Sequence, residues 1–210
     1  YEKRQFAHAR AAVQREVRFL GAYVPFGNDL VFDATNVRDF SLHVEICEDL
    51  WVPGPPSASH ASAGAVIIAN LSASDETVGK KEYRRLLVSS QSGRTVGAYI
   101  YADAGSGESS TDMVFAGHSL IAENGSILAE SSLFSHGLTI SDIDVRKLLA
   151  ERRRMNTFPR SAGWHCARFP IVQGIDAAKG YALFRKIDPH PFVPHAKETL
   201  DERCNEVLSI

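Results

Sequence analysis

The chain has 210 residues, 44% of them hydrophobic and 23% charged, with a formal net charge of −2 at pH 7. That length supports one sizeable core, the composition is that of a soluble globular protein, and the balanced charge gives no footing for nucleic acid or an anionic membrane. No apolar run approaches the ~20 residues needed to span a bilayer, and no signal-peptide pattern opens the chain.

The three cysteines, Cys47, Cys166 and Cys204, are widely spaced and form no CxxC pair. This is the usage of a reduced compartment, with neither a disulfide framework nor a zinc site, and a cytoplasmic location is expected.

The first 12 residues read as irregular. "VQREVRFL" alternates at Val13, Arg15, Val17 and Phe19, the period of a strand. In "VPFGNDLVFD", Gly27-Asn28 tolerates positive φ and is expected to turn a hairpin. "FSLHVEI" alternates at Phe40, Leu42, Val44 and Ile46 and ends at Cys47. A rigid loop, "WVPGPPS", leads to a short helix, "ASHASAG", with Ser57 as its expected cap. Ala65–Ala69 is a continuous apolar run, the signature of a strand buried on both faces.

After Gly79, "KKEYRRLLVSSQSGR" predicts a helix. Its expected faces are Tyr83, Leu86, Leu87 and Ser90 on one side and Lys81, Arg84 and Arg85 on the other. "TVGAYIYA" reads as a strand, "AGSGESSTD" as a loop and "MVFAGHSLIAENGSILAES" as a hairpin around Asn124-Gly125. "GLTISDIDV" alternates like a strand. "VRKLLAERRRM" predicts a short helix whose basic run, Arg152–Arg154, ends in solvent. Residues 156–195 hold five of the nine prolines and no sustained period, and read as an extended connector; residues 196–210 begin another helix. Alternating strands and helices flanked by hairpins imply an α/β sheet with antiparallel portions.

Cys47 sits at the predicted end of a strand, where nucleophiles of α/β proteins are exposed by sharp turns. The alternative is a buried, inert cysteine. The neighbouring carboxylates Glu45, Glu48 and Asp49 disfavour a thiolate, so a reactive thiol here needs some compensating device, and an inert one needs only burial. His165-Cys166 cannot easily ligate one ion together, and His190 and His195 have no third ligand at useful spacing; no metal site is expected. The Glu108–Asp112 loop reads as a turn whose hydroxyls bond its own backbone; the alternatives are a loop that borders the active site or faces a further domain.

The segments "EICEDLWVPGPPS", "VIIANLSAS", "GKKEYRRLL" and "GESSTDMVFAGHSLIAENGSIL", in this order and spacing, resemble the glutaminase domain of glutamine-dependent NAD synthetases. That domain belongs to the nitrilase superfamily of carbon–nitrogen hydrolases. The resemblance implies the C-terminal part of an α-β-β-α sandwich over residues 1–155. A connector would then span 156–195, and 196–210 would lead into an ATP-using synthetase domain outside this chain.

The resemblance also implies the chemistry. A Glu base and a Lys assist a Cys that attacks the side-chain amide of L-glutamine, forming a thioester and releasing ammonia. Cys47 matches the nucleophile and the backbone N–H of Glu48 an oxyanion donor. Ser74 and Lys80 match substrate contacts; some relatives carry Arg at the second, and Lys lacks its bidentate fork. The Glu48 side chain would meet the substrate ammonium, and Trp51 would wall the pocket.

Glu2, Glu16, Glu45 and Lys3 do not match the motifs of the base or the lysine. Both are therefore expected upstream of Tyr1, in a longer polypeptide, and the chain alone is expected to be inactive. The resemblance further implies that ammonia passes to the synthetase domain, which amidates deamido-NAD to NAD with ATP and Mg²⁺ in a homo-oligomer. No cofactor is expected in this chain itself. Two other readings stay open: a stand-alone superfamily amidase of other specificity, and a non-catalytic nitrilase-like module.

Overall fold

The computed structural model describes residue 7 and residues 11–159, 168–169, 182–190, 193 and 197–210. Glu2, Lys3, His165, Cys166 and His195 lie outside these.

Strands β1 (Glu16–Phe19) and β2 (Ala22–Pro25) form an antiparallel hairpin that pairs Val17 with Val24. Its turn is Leu20-Gly21, both at positive φ (48° and 85°), rather than the expected Gly27-Asn28. A leucine in the left-handed region gives no sequence signal, whereas Gly-Asn gives a strong one and is used here only to lead into the next strand.

That strand, β3 (Phe32–Ala34), pairs antiparallel with β4 (Ser41–Ile46). From β4 the chain passes through α1 (Pro56–Ser62) to β5 (Ile67–Ser72), then through α2 (Lys80–Thr95) to β6 (Ala98–Asp103). Strands β4, β5 and β6 are parallel neighbours. Two successive right-handed crossovers in one direction leave α1 and α2 on the same face of the sheet. Beyond β6, β7 (Leu120–Glu123) and β8 (Ser126–Glu130) form the expected hairpin, with Asn124 and Gly125 at φ 46° and 87°. After α3 (Val145–Arg154), a two-residue strand β9 (Arg168–Phe169) joins parallel to β3. Among the described residues the main sheet runs β8-β7-β6-β5-β4-β3-β9. The α/β expectation holds.

Alternation along each strand divides the side chains between two faces. On one face Ile68, Tyr99, Tyr101, Leu120 and Ala122 pack with Leu50 and with Val88 of α2. On the other, Leu148 of α3 packs against Ile67 and Ala98, with Leu42, Ile100 and Ile143 around it, where the strands begin. Towards the strands' far ends Val44, Ile46 and Leu71 on this second face are exposed.

Four local expectations are corrected. The buried face of α2 carries Arg84, Val88, Gln91 and Thr95, while Tyr83 and Leu86 are exposed; the arginine goes in because buried polar partners meet it. Ser57 is not a cap: Pro56 occupies the first helical position, and the Ser57 hydroxyl accepts from Gln91 Nε2 at 3.0 Å. "GLTISDIDV" forms no strand and instead delivers Asp144, which caps α3 by accepting from the Lys147 N–H at 2.9 Å. Arg152 is buried. Its guanidinium donates to the carbonyls of Thr95 (2.8 Å), Val96 (3.0 Å) and Ala61 (3.4 Å), and burial lowers its pKa to about 10.

Within the proline-rich stretch, the backbone N–H groups of Phe184 and Arg185 bond Asp142, and the Arg185 guanidinium meets Glu123 Oε2 at 2.7 Å. A helix, α4 (Lys197–Ser209), stands where the final one is expected. Among the described residues no helix is long and apolar enough to cross a membrane.

Candidate active site

Because β4, β5 and β6 are parallel, their C-terminal ends line one edge of the sheet, the edge where α/β sheets place their chemistry. Cys47 directly follows β4, Ser74 lies two residues past β5, and Asp103 ends β6. Cys47 opens a 3₁₀ turn, Cys47–Leu50, and is only partly buried. Its φ is +48°, a conformation that costs a non-glycine residue about 1–3 kcal/mol. Two bonds hold this corner. The Ile46 N–H donates to Asp49 Oδ2 at 2.8 Å, and the Cys47 carbonyl accepts from Asn70 Nδ2 at 3.2 Å.

The carboxylates that crowd Cys47 in sequence are dispersed in space. Glu45 is buried in the layer beneath α1. There its Oε2 accepts from the Ser57 N–H (2.8 Å) and its Oε1 from the Tyr99 hydroxyl. Burial raises its pKa against those bonds. Asp49 is engaged by the backbone of Ile46, and Glu48 is exposed. The first N–H groups of such a turn have no partner within it, so the backbone after Cys47 presents donors at the sheet edge.

Trp51 closes the turn, its N–H donating to the Glu48 carbonyl at 2.9 Å. Its ring lies 5.4 Å from that of Tyr83, and Lys80 Nζ is 5.3 Å from its centroid. The structure thus brings Trp51 and Lys80 together beside the Cys47 turn. Lys80 is engaged, however: Nζ donates to the carbonyl (2.5 Å) and to Oδ1 (2.8 Å) of Asp75, and this bond lowers the Asp75 pKa. A substrate carboxylate at Lys80 would compete with Asp75. Ser74 is buried next to Asp75, its N–H donating to Asp103 Oδ1 at 3.0 Å. Asp75, next to Ser74, bonds Lys80, which lies over the Trp51 ring.

Beneath this loop lies a polar cluster that hydrophobic periodicity could not register. Arg84 is fully buried and donates to Glu76 Oε2 (2.9 Å) and His118 Nδ1 (2.9 Å). Since Nδ1 accepts, His118 carries its proton on Nε2 and donates to Glu130 Oε1 at 2.9 Å. Burial, followed by the Arg84 charge, lowers the His118 pKa, opposed by the bond to Glu130. Asp103 Oδ2 is 3.9 Å from Arg84 and has no hydrogen-bond partner; burial raises the Asp103 pKa to about 6. The cluster anchors the segment bearing Ser74 and Asp75 at two points, Ser74 to Asp103 and Glu76 to Arg84.

The Glu108–Asp112 loop behaves as expected. Ser109 Oγ accepts from the Phe115 N–H at 3.0 Å, and Ser110 Oγ from the N–H groups of Asp112 and Met113. A hollow of about 630 Å³ bounded by Arg15, Tyr23, Phe26 and Asp29 lies against the β1–β2 hairpin and shares no residue with this edge.

A partly buried thiol at a strand end, backbone N–H donors following it, a lysine and an aromatic wall can bind and attack a carbonyl carbon. Comparison with known proteins bears on this arrangement. The family model described as carbon-nitrogen hydrolase matches residues 1–153. A glutamine-dependent NAD(+) synthetase of Mycobacterium bovis is 43% identical over 217 residues, covering 100% of this chain and 32% of its own length. That of Mycobacterium leprae is 44% identical over 193 residues, 89% of this chain and 28% of its own. A solved glutamine-dependent NAD(+) synthetase from Cytophaga hutchinsonii superposes with a TM-score of 0.52 at 30% identity, over 67% of this chain and 22% of that one. The chain spans about a third of the length of the curated relatives it matches.

Proposed function

The chain belongs to the carbon–nitrogen hydrolase family, and from that premise we propose that it is the part of a glutaminase domain that bears the nucleophile. In the whole protein it would release ammonia from L-glutamine for the amidation that makes NAD. Cys47 attacks the side-chain amide carbon, and its S–H proton goes to a general base. The tetrahedral oxyanion is met by the Glu48 N–H. The base passes that proton to the amide nitrogen, ammonia leaves as the thioester forms, and water then hydrolyses the thioester to glutamate and the free thiol. The observation that carries this reading is the left-handed Cys47 at the head of the 3₁₀ turn, at the edge shared by parallel strands.

Trp51 walls the site, and Lys80, once Asp75 gives way, takes the substrate α-carboxylate. Ser74 and Glu48 supply polar contacts to the α-amino acid end. The base is not assigned to Glu45, which is committed to Tyr99 and Ser57, and the oxyanion lysine is not assigned to Lys80, which the substrate α-carboxylate would occupy. The ammonia-using reaction, with its ATP and Mg²⁺, belongs to a synthetase domain of the same polypeptide.

The test is glutamine hydrolysis by the full-length gene product and its Cys47→Ala variant, with mass spectrometry of the glutamyl thioester. The wild type should accumulate a Cys47 adduct, and the variant should lose ammonia release by at least ~10³-fold. The 210-residue chain alone should release none. Glutamine turnover that survives Cys47→Ala would end this reading.

A further inference from the structure

Behind the Cys47 turn runs a hydrogen-bonded chain that the reaction as drawn does not use. Asn70 is 1% exposed, Tyr99 0% and Glu45 2%. Asn70 Nδ2 donates to the Cys47 carbonyl and to the Tyr99 hydroxyl, each at 3.2 Å, and the Tyr99 hydroxyl donates to Glu45. Both ends fix the direction of the chain. The Cys47 carbonyl can only accept, and Glu45 accepts at both oxygens, from Tyr99 and from the Ser57 N–H. With its amide turned over, Asn70 would set an oxygen against the Cys47 carbonyl and leave Tyr99 one hydrogen for two acceptors. The orientation adopted leaves Asn70 Oδ1 buried and without a partner, although such atoms rarely stay unpaired. Both amide hydrogens are used and the oxygen is sacrificed.

The consequence lies in the peptide unit that follows. A trans peptide is planar, with its C=O and N–H pointing opposite ways, and none of the described bonds is cis. Asn70 draws the Cys47 carbonyl towards the buried side of the sheet edge. The N–H of Glu48, in the same plane, is thereby directed away from it. We propose that Asn70, oriented by Tyr99 and Glu45, is a positioning residue that sets this peptide plane and so aims the Glu48 N–H at the oxyanion formed on glutamine. The inference rests on the reading of Cys47 as a glutamine-attacking nucleophile. It adds a device that keeps the left-handed corner and its donor fixed before substrate arrives.

The experiment compares two reactions of the same thiol in the full-length protein. Single-turnover acylation by glutamine passes through an oxyanion; alkylation by iodoacetamide does not. Asn70→Ala should slow acylation by about ten- to a hundredfold, with KM within twofold and the rate of iodoacetamide alkylation at Cys47 unchanged. Tyr99→Phe, which keeps Asn70 but removes the hydroxyl that orients it, should show the same split at smaller size. If Asn70→Ala does not fold, Tyr99→Phe decides alone. Acylation within twofold of wild type in the folded variants overturns the inference, as does an equal loss in both reactions, which would mean a displaced turn. A wild type that never acylates at Cys47 with glutamine fails the functional reading itself, and is told apart by that control.

Discussion

In Asp103→Asn a buried carboxylate is replaced by its neutral shape-mimic, and the substitution should stabilise the protein at neutral pH. Asp103 has a side chain fully shielded from solvent, one oxygen bonded to the Ser74 N–H, and the other 3.9 Å from Arg84 without a hydrogen bond. Its pKa rises from 3.8 to about 6, burial being the largest cause and exceeding the attraction of Arg84. The native state therefore holds this proton more tightly than the unfolded chain. The stability it contributes is fully present below pH 3.8 and is lost as pH rises through about 6. The rise corresponds to ~3 kcal/mol between the two protonation states. Asparagine keeps the acceptor for Ser74, removes the charge and leaves Arg84 to Glu76. It should raise stability by ~1–3 kcal/mol at pH 7.5 and by almost nothing at pH 3.5. Urea titrations of both proteins at the two pH values read this directly, each comparison being made at one pH so that other titrating groups cancel. A variant less stable than wild type at pH 7.5 but equal to it at pH 3.5 would show that the ion pair outweighs desolvation, and the reasoning would fail.

Glu45→Gln should destabilise by ~1–3 kcal/mol despite its near-identical volume, because one of the two donors from Tyr99 and Ser57 would then face an amide NH₂; urea midpoints measure it, and a neutral result would mean that Glu45 is protonated in the native state. Arg84→Met should cost ~3–5 kcal/mol, since Glu76 and Asp103 would remain buried without their cation, and thermal unfolding would show it as a large fall in Tm. His43, stacked on His60 at 3.4 Å, has its pKa lowered to about 4 by burial first and the His60 charge second. It contributes ~3 kcal/mol that is present above pH 6.5 and lost as pH falls through about 4. His43→Phe should flatten that acid limb, and an unchanged slope between pH 4 and 6.5 would refute the assignment.

What was legible in the sequence is what depends on neighbours along the chain. The alternation of Leu42, Val44 and Ile46 placed β4 and put Cys47 at its end, and Asn124-Gly125 announced its hairpin. The rest depends on partners far away in sequence. Arg84 reads as a solvent-facing helical residue until Glu76 and His118 come to meet it. Glu45, Asn70 and Tyr99 belong to three different strands, and nothing local marks them as one chain of bonds. Leu20-Gly21 outcompetes Gly27-Asn28 because the pairing of β1 with β2 sets the turn, not the turn residues themselves. The family resemblance marks Lys80 as a substrate contact, but nothing in the sequence marks Asp75, five residues before it, as its resting partner.

Arg152 stands on α3, on one side of the sheet, and binds the last carbonyls of α1 and α2, whose helices lie on the other. Buried as it is, the guanidinium cannot exchange these acceptors for water, so fraying at one helix terminus weakens the grip on the other. The two faces should then open in a single step, and amide exchange at Ala65, Gly97 and Met155 should slow or quicken together rather than one by one.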